Sequence, residues 1–148
     1  MGEITAGGAA PDVPLLVVDA ANVVGSVPDG WWRDRRGATE RLRDALAPIA
    51  GDGLTDRRPG APEWSRTGPL DVVLVVEGAA RGVAPVPGVR VVAASGSGDD
   101  RIVELVRAAL AADPHRGCLV VTADRELRGR VAALGAEVTG PRAVRPGA

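Results

Sequence analysis

Four stretches of this chain are apolar almost without interruption, and that pattern limits the fold more than any other feature. They run from about Pro14 to Asp19, Asp71 to Glu77, Val89 to Ala93 and Cys118 to Thr122. A strand with one wet face alternates polar and apolar residues, whereas a strand covered on both faces reads as a continuous Val/Leu/Ile run. A fifth, shorter candidate spans Ala136 to Thr139. Between the runs lie helical periods: Leu42, Ala45, Leu46 and Ile49; Ile102, Leu105, Val106, Ala109 and Leu110; Leu127, Val131 and Leu134. Ser97 with Asp100 three residues on has the spacing of a capping box, and Gly135 stops the last helix. Strands alternating with helices predict an α/β fold: a central parallel five-stranded sheet with helices on both faces, in three layers.

With 148 residues, 45% of them hydrophobic, one domain with a substantial core is expected. We place it at residues 13–140, after a flexible arm over 1–12 and before a flexible tail over 141–148 rich in Pro and Gly. Within it, residues 51–69 have no apolar period and are expected to form a long flexible loop. Trp64 in that loop either tucks onto the body or makes an external contact. A net charge of −1 and a pI near 5.8 exclude a protein that coats nucleic acid by bulk charge, though not one with a local basic patch. The lone Cys118 rules out an internal disulfide and a cysteine zinc site, and it reads as core. The first residues lack a signal-peptide pattern and no run reaches transmembrane length, so a cytoplasmic protein without membrane contact is expected.

The apolar runs end on acids. Asp19 closes the first and Glu77 the second, Asp99 and Asp100 open the helix after the third, and Asp124 follows the fourth. Right-handed crossovers gather all of these at the carboxyl edge of a parallel sheet, where ligands bind in such folds. Each acid singly has a structural alternative as a helix cap or turn former. Four strand exits carrying acid together are harder to explain by capping. Converging carboxylates repel unless a cation neutralises them, and an all-oxygen set suits Mg2+ or Mn2+. Such an ion serves phosphodiester cleavage. His115, the one histidine, lies in the turn Asp113-Pro114-His115-Arg116-Gly117 and reads as a surface residue.

In order, the segments VVDAANVVG, VVLVVEG, GSGDDRIVELV and LVVTADRELRGRVAALGAEV resemble the NYN domain of the PIN-like nuclease superfamily, over about residues 14–140. The resemblance implies a sheet in the order 3-2-1-4-5 and an active site of Asp19, Asn22, Asp99 and Asp124, with Asp100 and Glu77 as secondary metal-site members. It also brings in Thr122 and Arg125 of the Thr-x-Asp-Arg motif as substrate-binding candidates. Ala20-Ala21 stands where the family commonly has Gly-Tyr, and Glu77 where it has Asp.

Beyond the family motifs, Trp31-Trp32-Arg33-Asp34-Arg35-Arg36 couples stacking surfaces with phosphate-pairing groups, a combination suited to single-stranded nucleic acid. Trp31, Arg35 and Arg36 are its substrate-binding candidates; the alternative is a core Trp beside a solvated arginine face. The first functional expectation is a divalent-metal-dependent ribonuclease acting on single-stranded RNA. A nucleotide phosphohydrolase and a non-catalytic RNA-binding module are the alternatives. A homodimer is compatible with the sequence.

Overall fold

The computed structural model describes residues 13–55 and 60–145. The expected arm at 1–12, positions 56–59 of the expected loop and positions 146–148 of the tail lie outside the described residues. Five strands form the sheet: β1 (Leu15–Asp19), β2 (Asp71–Val76), β3 (Val89–Ala93), β4 (Cys118–Val121) and β5 (Glu137–Thr139). Their order is β3-β2-β1-β4-β5 and every neighbouring pair is parallel. Val17 of β1 pairs with Val73 on one side and Val120 on the other, so β1 is central and β4 enters on the far side of it from β2. That change of direction beside β1 opens the crevice in which α/β sheets bind ligands.

Helices α1 (Ala20–Val24) and α2 (Arg35–Asp52) cover one face; α3 (Gly98–Ala112) and α4 (Arg125–Ala133) cover the other. Alternate strand residues point to opposite faces. Leu16, Val18, Val72, Leu74, Leu119 and Val121 meet Val23, Leu42 and Leu46 in one core. Leu15, Val17, Val73, Val75, Cys118 and Val120 meet Ile102, Val106, Leu127 and Val131 in the other. Each such side chain contributes roughly 1.5–3 kcal/mol on burial, which is why no polar alternation is tolerated in these strands.

The segment expected as a loop over 51–69 is more built than its composition suggests. Helix α2 runs through Asp52, and Glu63–Arg66 forms a turn of 3-10 helix. Leu54, Ala61 and Ser65 are buried, and the Leu54 N–H donates to the Ser65 carbonyl at 2.8 Å. Trp64 packs against the core over α2, and its indole N–H donates to Glu137 at 2.9 Å, which settles it as a residue that tucks back. The tail also has a structured part: Pro141–Ala143 is a 3-10 turn, with Ala143 and Val144 buried. At the amino edge of the sheet, buried Asp71 takes a bidentate pair from Arg90 (3.0 and 2.8 Å) and a further bond from Arg116 (3.1 Å). No helix of the described residues is long and apolar enough to cross a membrane.

Candidate active site

At the carboxyl edge, most of the acids double as local structural devices. Asp19 ends β1 and is the N-cap of α1: it accepts from the Asn22 N–H at 3.3 Å and, through its other oxygen, from the Thr122 hydroxyl at 2.9 Å. Thr122, just past β4, is fully buried. The same hydroxyl oxygen accepts the Asp124 N–H at 3.1 Å, so one side chain fixes both turns. Asp124 caps α4 by accepting from the Leu127 N–H at 3.0 Å. The Asn22 side-chain carbonyl accepts from the Ala123 N–H at 2.8 Å, a second tie between the exits of β1 and β4.

Glu77, just past β2, accepts the Gly98 N–H at the first turn of α3. A Cβ at position 98 would stand 2.7 Å from that carboxylate oxygen, so a larger residue there would make the Glu77 side chain shift from this position. Ser97 caps α3 by accepting from the Asp99 and Asp100 N–H groups at 3.1 and 3.4 Å. The two adjacent acids then diverge. Asp100 is exposed and pairs with Arg130 of α4 at 3.0 Å. Asp99 is half-buried and stands in the field of Asp124, Glu77 and Asp100.

Electrostatics join what hydrogen bonds leave apart. Burial pushes the Asp19 carboxyl up from 3.8 to about 6; the bonds from Thr122 and Asn22 pull it down, and Asp99 and Glu77 push it further up. Asp99 is raised first by burial, then by Asp124 and Glu77, with Arg130 opposing. Asp71 at the other edge makes the contrast, since two arginines neutralise it within the protein. Asp19 and Asp99, raised by burial and by the neighbouring carboxylates, fit a hard divalent cation chemically, because its charge would relieve that burden. As placed, no three His, Cys, Asp or Glu among the described residues are gathered tightly enough to hold a metal ion.

Beside the acids lies a groove of about 360 Å3, lined by Ala20, Ala21, Trp31, Arg35, Thr39 and Glu77, among others. Trp31 is half-buried, and the Arg35 guanidinium lies over its ring at 5.2 Å from the centroid. Trp32 is 52% exposed and meets Trp31 edge-on. Arg36 points elsewhere, donating to the Gly82 carbonyl at 3.1 Å and pairing with Glu40 at 3.5 Å. Arg125 is exposed on the first turn of α4. His115 is exposed in its turn. Of the groove's lining, Thr39 carried no functional signal in the sequence, whereas Gly78 and Gly96 lie within the segments VVLVVEG and GSGDDRIVELV.

Neither a family model nor a curated protein matches this sequence. Solved structures do. One of Rae1 (YacP) from Bacillus subtilis, a single-residue mutant, aligns with a TM-score of 0.63 at 19% identity, covering 89% of this chain and 72% of that one. A second structure of Rae1 gives 0.62 at 19% identity, with 88% and 70% covered. At that identity the likeness concerns the fold alone. The all-parallel 3-2-1-4-5 sheet in a single α/β domain is thus an architecture that this chain shares with Rae1.

Proposed function

We propose that this protein is a divalent-metal-dependent ribonuclease that hydrolyses phosphodiester bonds in single-stranded RNA. The observation that carries the reading is a pair of half-buried to buried carboxyls, Asp19 and Asp99, raised first by burial and then by the charges of acids from other strand exits. A strongly shifted carboxyl beside a groove, as Asp19 is, belongs to the kind of group that acid-dependent catalysis uses. The fold likeness to Rae1 supports a nuclease-like hydrolase at the coarse level.

Asp19, Asp99 and Asp124 would hold the cation, with Glu77 and Asp100 at its margin. When bound, Mg2+ or Mn2+ neutralises phosphate charge and makes water a better nucleophile. Thr122 keeps one Asp19 oxygen oriented by donating to it. The Asn22 carbonyl is committed to Ala123, which leaves its NH2 group as the donor for a phosphate oxygen. Arg35 in the groove and Arg125 at the α4 terminus flank the acids as partners for the RNA backbone.

A groove of about 360 Å3 also suits a free nucleotide, which favours phosphoanhydride hydrolysis as the second reading. The deciding experiment incubates the protein with unstructured RNA, structured RNA and nucleoside triphosphates, in Mn2+ or Mg2+ and in chelator. Cleavage of unstructured RNA that needs metal and disappears in Asp19→Asn is the expected result. Hydrolysis of triphosphates alone would replace it with the second reading, and cleavage that persists in Asp19→Asn would refute the assignment of the site.

A further inference from the structure

The groove has a composition that a phosphate-cleaving centre by itself does not need. Its volume of about 360 Å3 stands at the lower end of the roughly 300–1,000 Å3 typical of small-molecule sites, so it admits one nucleoside and no duplex. Trp31 forms part of the wall, held by its backbone N–H on Asp29 (3.2 Å) and by the edge of Trp32. With the Arg35 guanidinium 5.2 Å from the indole centroid, the wall offers two planar groups, and unstacked bases of RNA pack on both kinds. Glu77 lies in the lining too. A carboxylate is acceptor-only, and its bond from Gly98 fixes where it stands.

We propose that this groove is a subsite for a single unstacked nucleobase of the RNA strand, stacked on the Trp31–Arg35 wall and read by Glu77 through its N–H donors. Guanine is the best match, because its Watson–Crick edge presents an imino and an amino donor side by side. The proposal rests on the nuclease reading above for where the adjoining phosphate goes. Ala20 and Ala21, in the lining, directly follow Asp19, so a base in the groove brings the neighbouring phosphate to the acids.

The test maps cleavage of an unstructured RNA holding all four bases, with the full chain and Mn2+. Wild-type cuts are expected to cluster beside guanosine. Glu77→Gln, whose side-chain carbonyl can still accept the Gly98 N–H, should spread its remaining cuts over other bases, read as the fraction of cuts at guanosine because Glu77 also stands at the margin of the cation site and total turnover will fall. Trp31→Leu should lower kcat/KM by roughly tenfold or more, with Trp31→Phe restoring most of it, as expected for loss of one stacked base. Evenly distributed wild-type cuts, or a guanosine bias that survives in both Glu77→Gln and Trp31→Leu, would overturn the subsite while leaving the nuclease reading intact. If the wild type cuts no RNA, the nuclease reading fails, and the subsite is judged by quenching of tryptophan fluorescence in metal-free protein with guanosine or uridine monophosphate. Selective quenching by the guanosine nucleotide that vanishes in Trp31→Leu upholds it; equal quenching or none overturns it.

Discussion

Replacing Asp19 with Asn should stabilise the metal-free protein at neutral pH and destabilise it in acid. In the fold the Asp19 carboxyl is 6% exposed and titrates at about 6 instead of 3.8. A folded-state pKa above the unfolded one means that the folded protein binds the proton more tightly. The associated stability is fully present below about 3.8 and is lost as pH rises through about 6. A shift of this size corresponds to roughly 3 kcal/mol of burden borne by the ionised protein. Asn removes that burden at constant size. Its carbonyl can keep the bond from Asn22 or from Thr122 but not both, a loss of about 1 kcal/mol. The variant should therefore gain roughly 2 kcal/mol near pH 8, or on the order of 4–8 °C in Tm, and lose about 1 kcal/mol near pH 3. Urea unfolding in chelator across this range reads both signs. A difference in stability that does not change with pH, or a wild type that is the more stable protein at pH 8, would refute the account of a buried, ionised carboxylate.

Saturating Mn2+ should raise the wild-type Tm by several degrees, since a ligand at about a hundredfold excess over Kd adds roughly 2.7 kcal/mol, and the shift should shrink in Asp19→Asn and Asp99→Asn. An unmoved melting curve would mean that the carboxylates do not share an ion. Thr122→Val keeps the shape of a buried side chain but strips Asp19 of a donor and the Asp124 N–H of an acceptor, so it should cost roughly 2–4 kcal/mol in urea unfolding. It should also move the acid limb of any activity profile to higher pH, because the lost bond is one that holds the Asp19 carboxyl down. Arg35→Ala should weaken RNA binding and flatten its salt dependence more than Arg36→Ala, whose guanidinium is already engaged by Gly82 and Glu40; equal slopes would remove Arg35 from the phosphate path. His115→Ala should leave RNA cleavage almost unchanged, and a large loss of turnover with folding intact would make it a catalytic group.

Asp19, Glu77 and Asp124 were legible in the sequence because each follows an apolar run where a parallel strand ends, and Asp99 and Asp100 because they open the helix after the third run. The sheet order was legible only through the family resemblance, since continuous Val/Leu runs carry no sign of which neighbour they pair with. Nor do they reveal which residues face α2 and which α3, because both faces are equally apolar. Asp99 and Asp100 could be separated in principle: neighbours on a helix point about 100° apart, and only a partner on another helix, Arg130, decides which one turns away. The packing of 51–69 was hidden because Leu54, Ala61 and Leu70 are too widely spaced to form a period, yet each fills a site in the core over α2. The Thr122 hydroxyl and the Glu77–Gly98 bond join residues 103 and 21 positions apart, and no local pattern encodes such pairs.

The two ties between the β1 and β4 exits give the crevice a mechanical asymmetry. Asn22 reaches across 101 residues of sequence to the Ala123 N–H, and Thr122 reaches across 103 to Asp19. Both ties sit directly beyond strands that are hydrogen-bonded neighbours. The Asp19 and Asp124 turns therefore behave as one stiff jaw whose geometry is set before any ligand arrives. Asp99 belongs to the opposing jaw, the first turn of α3, which Glu77 fastens to the exit of β2. Were the carboxylates to share one ion, the first turn of α3 would have to approach the β1–β4 turns, and the bond from Gly98 to Glu77 is the contact such a movement would carry along or break.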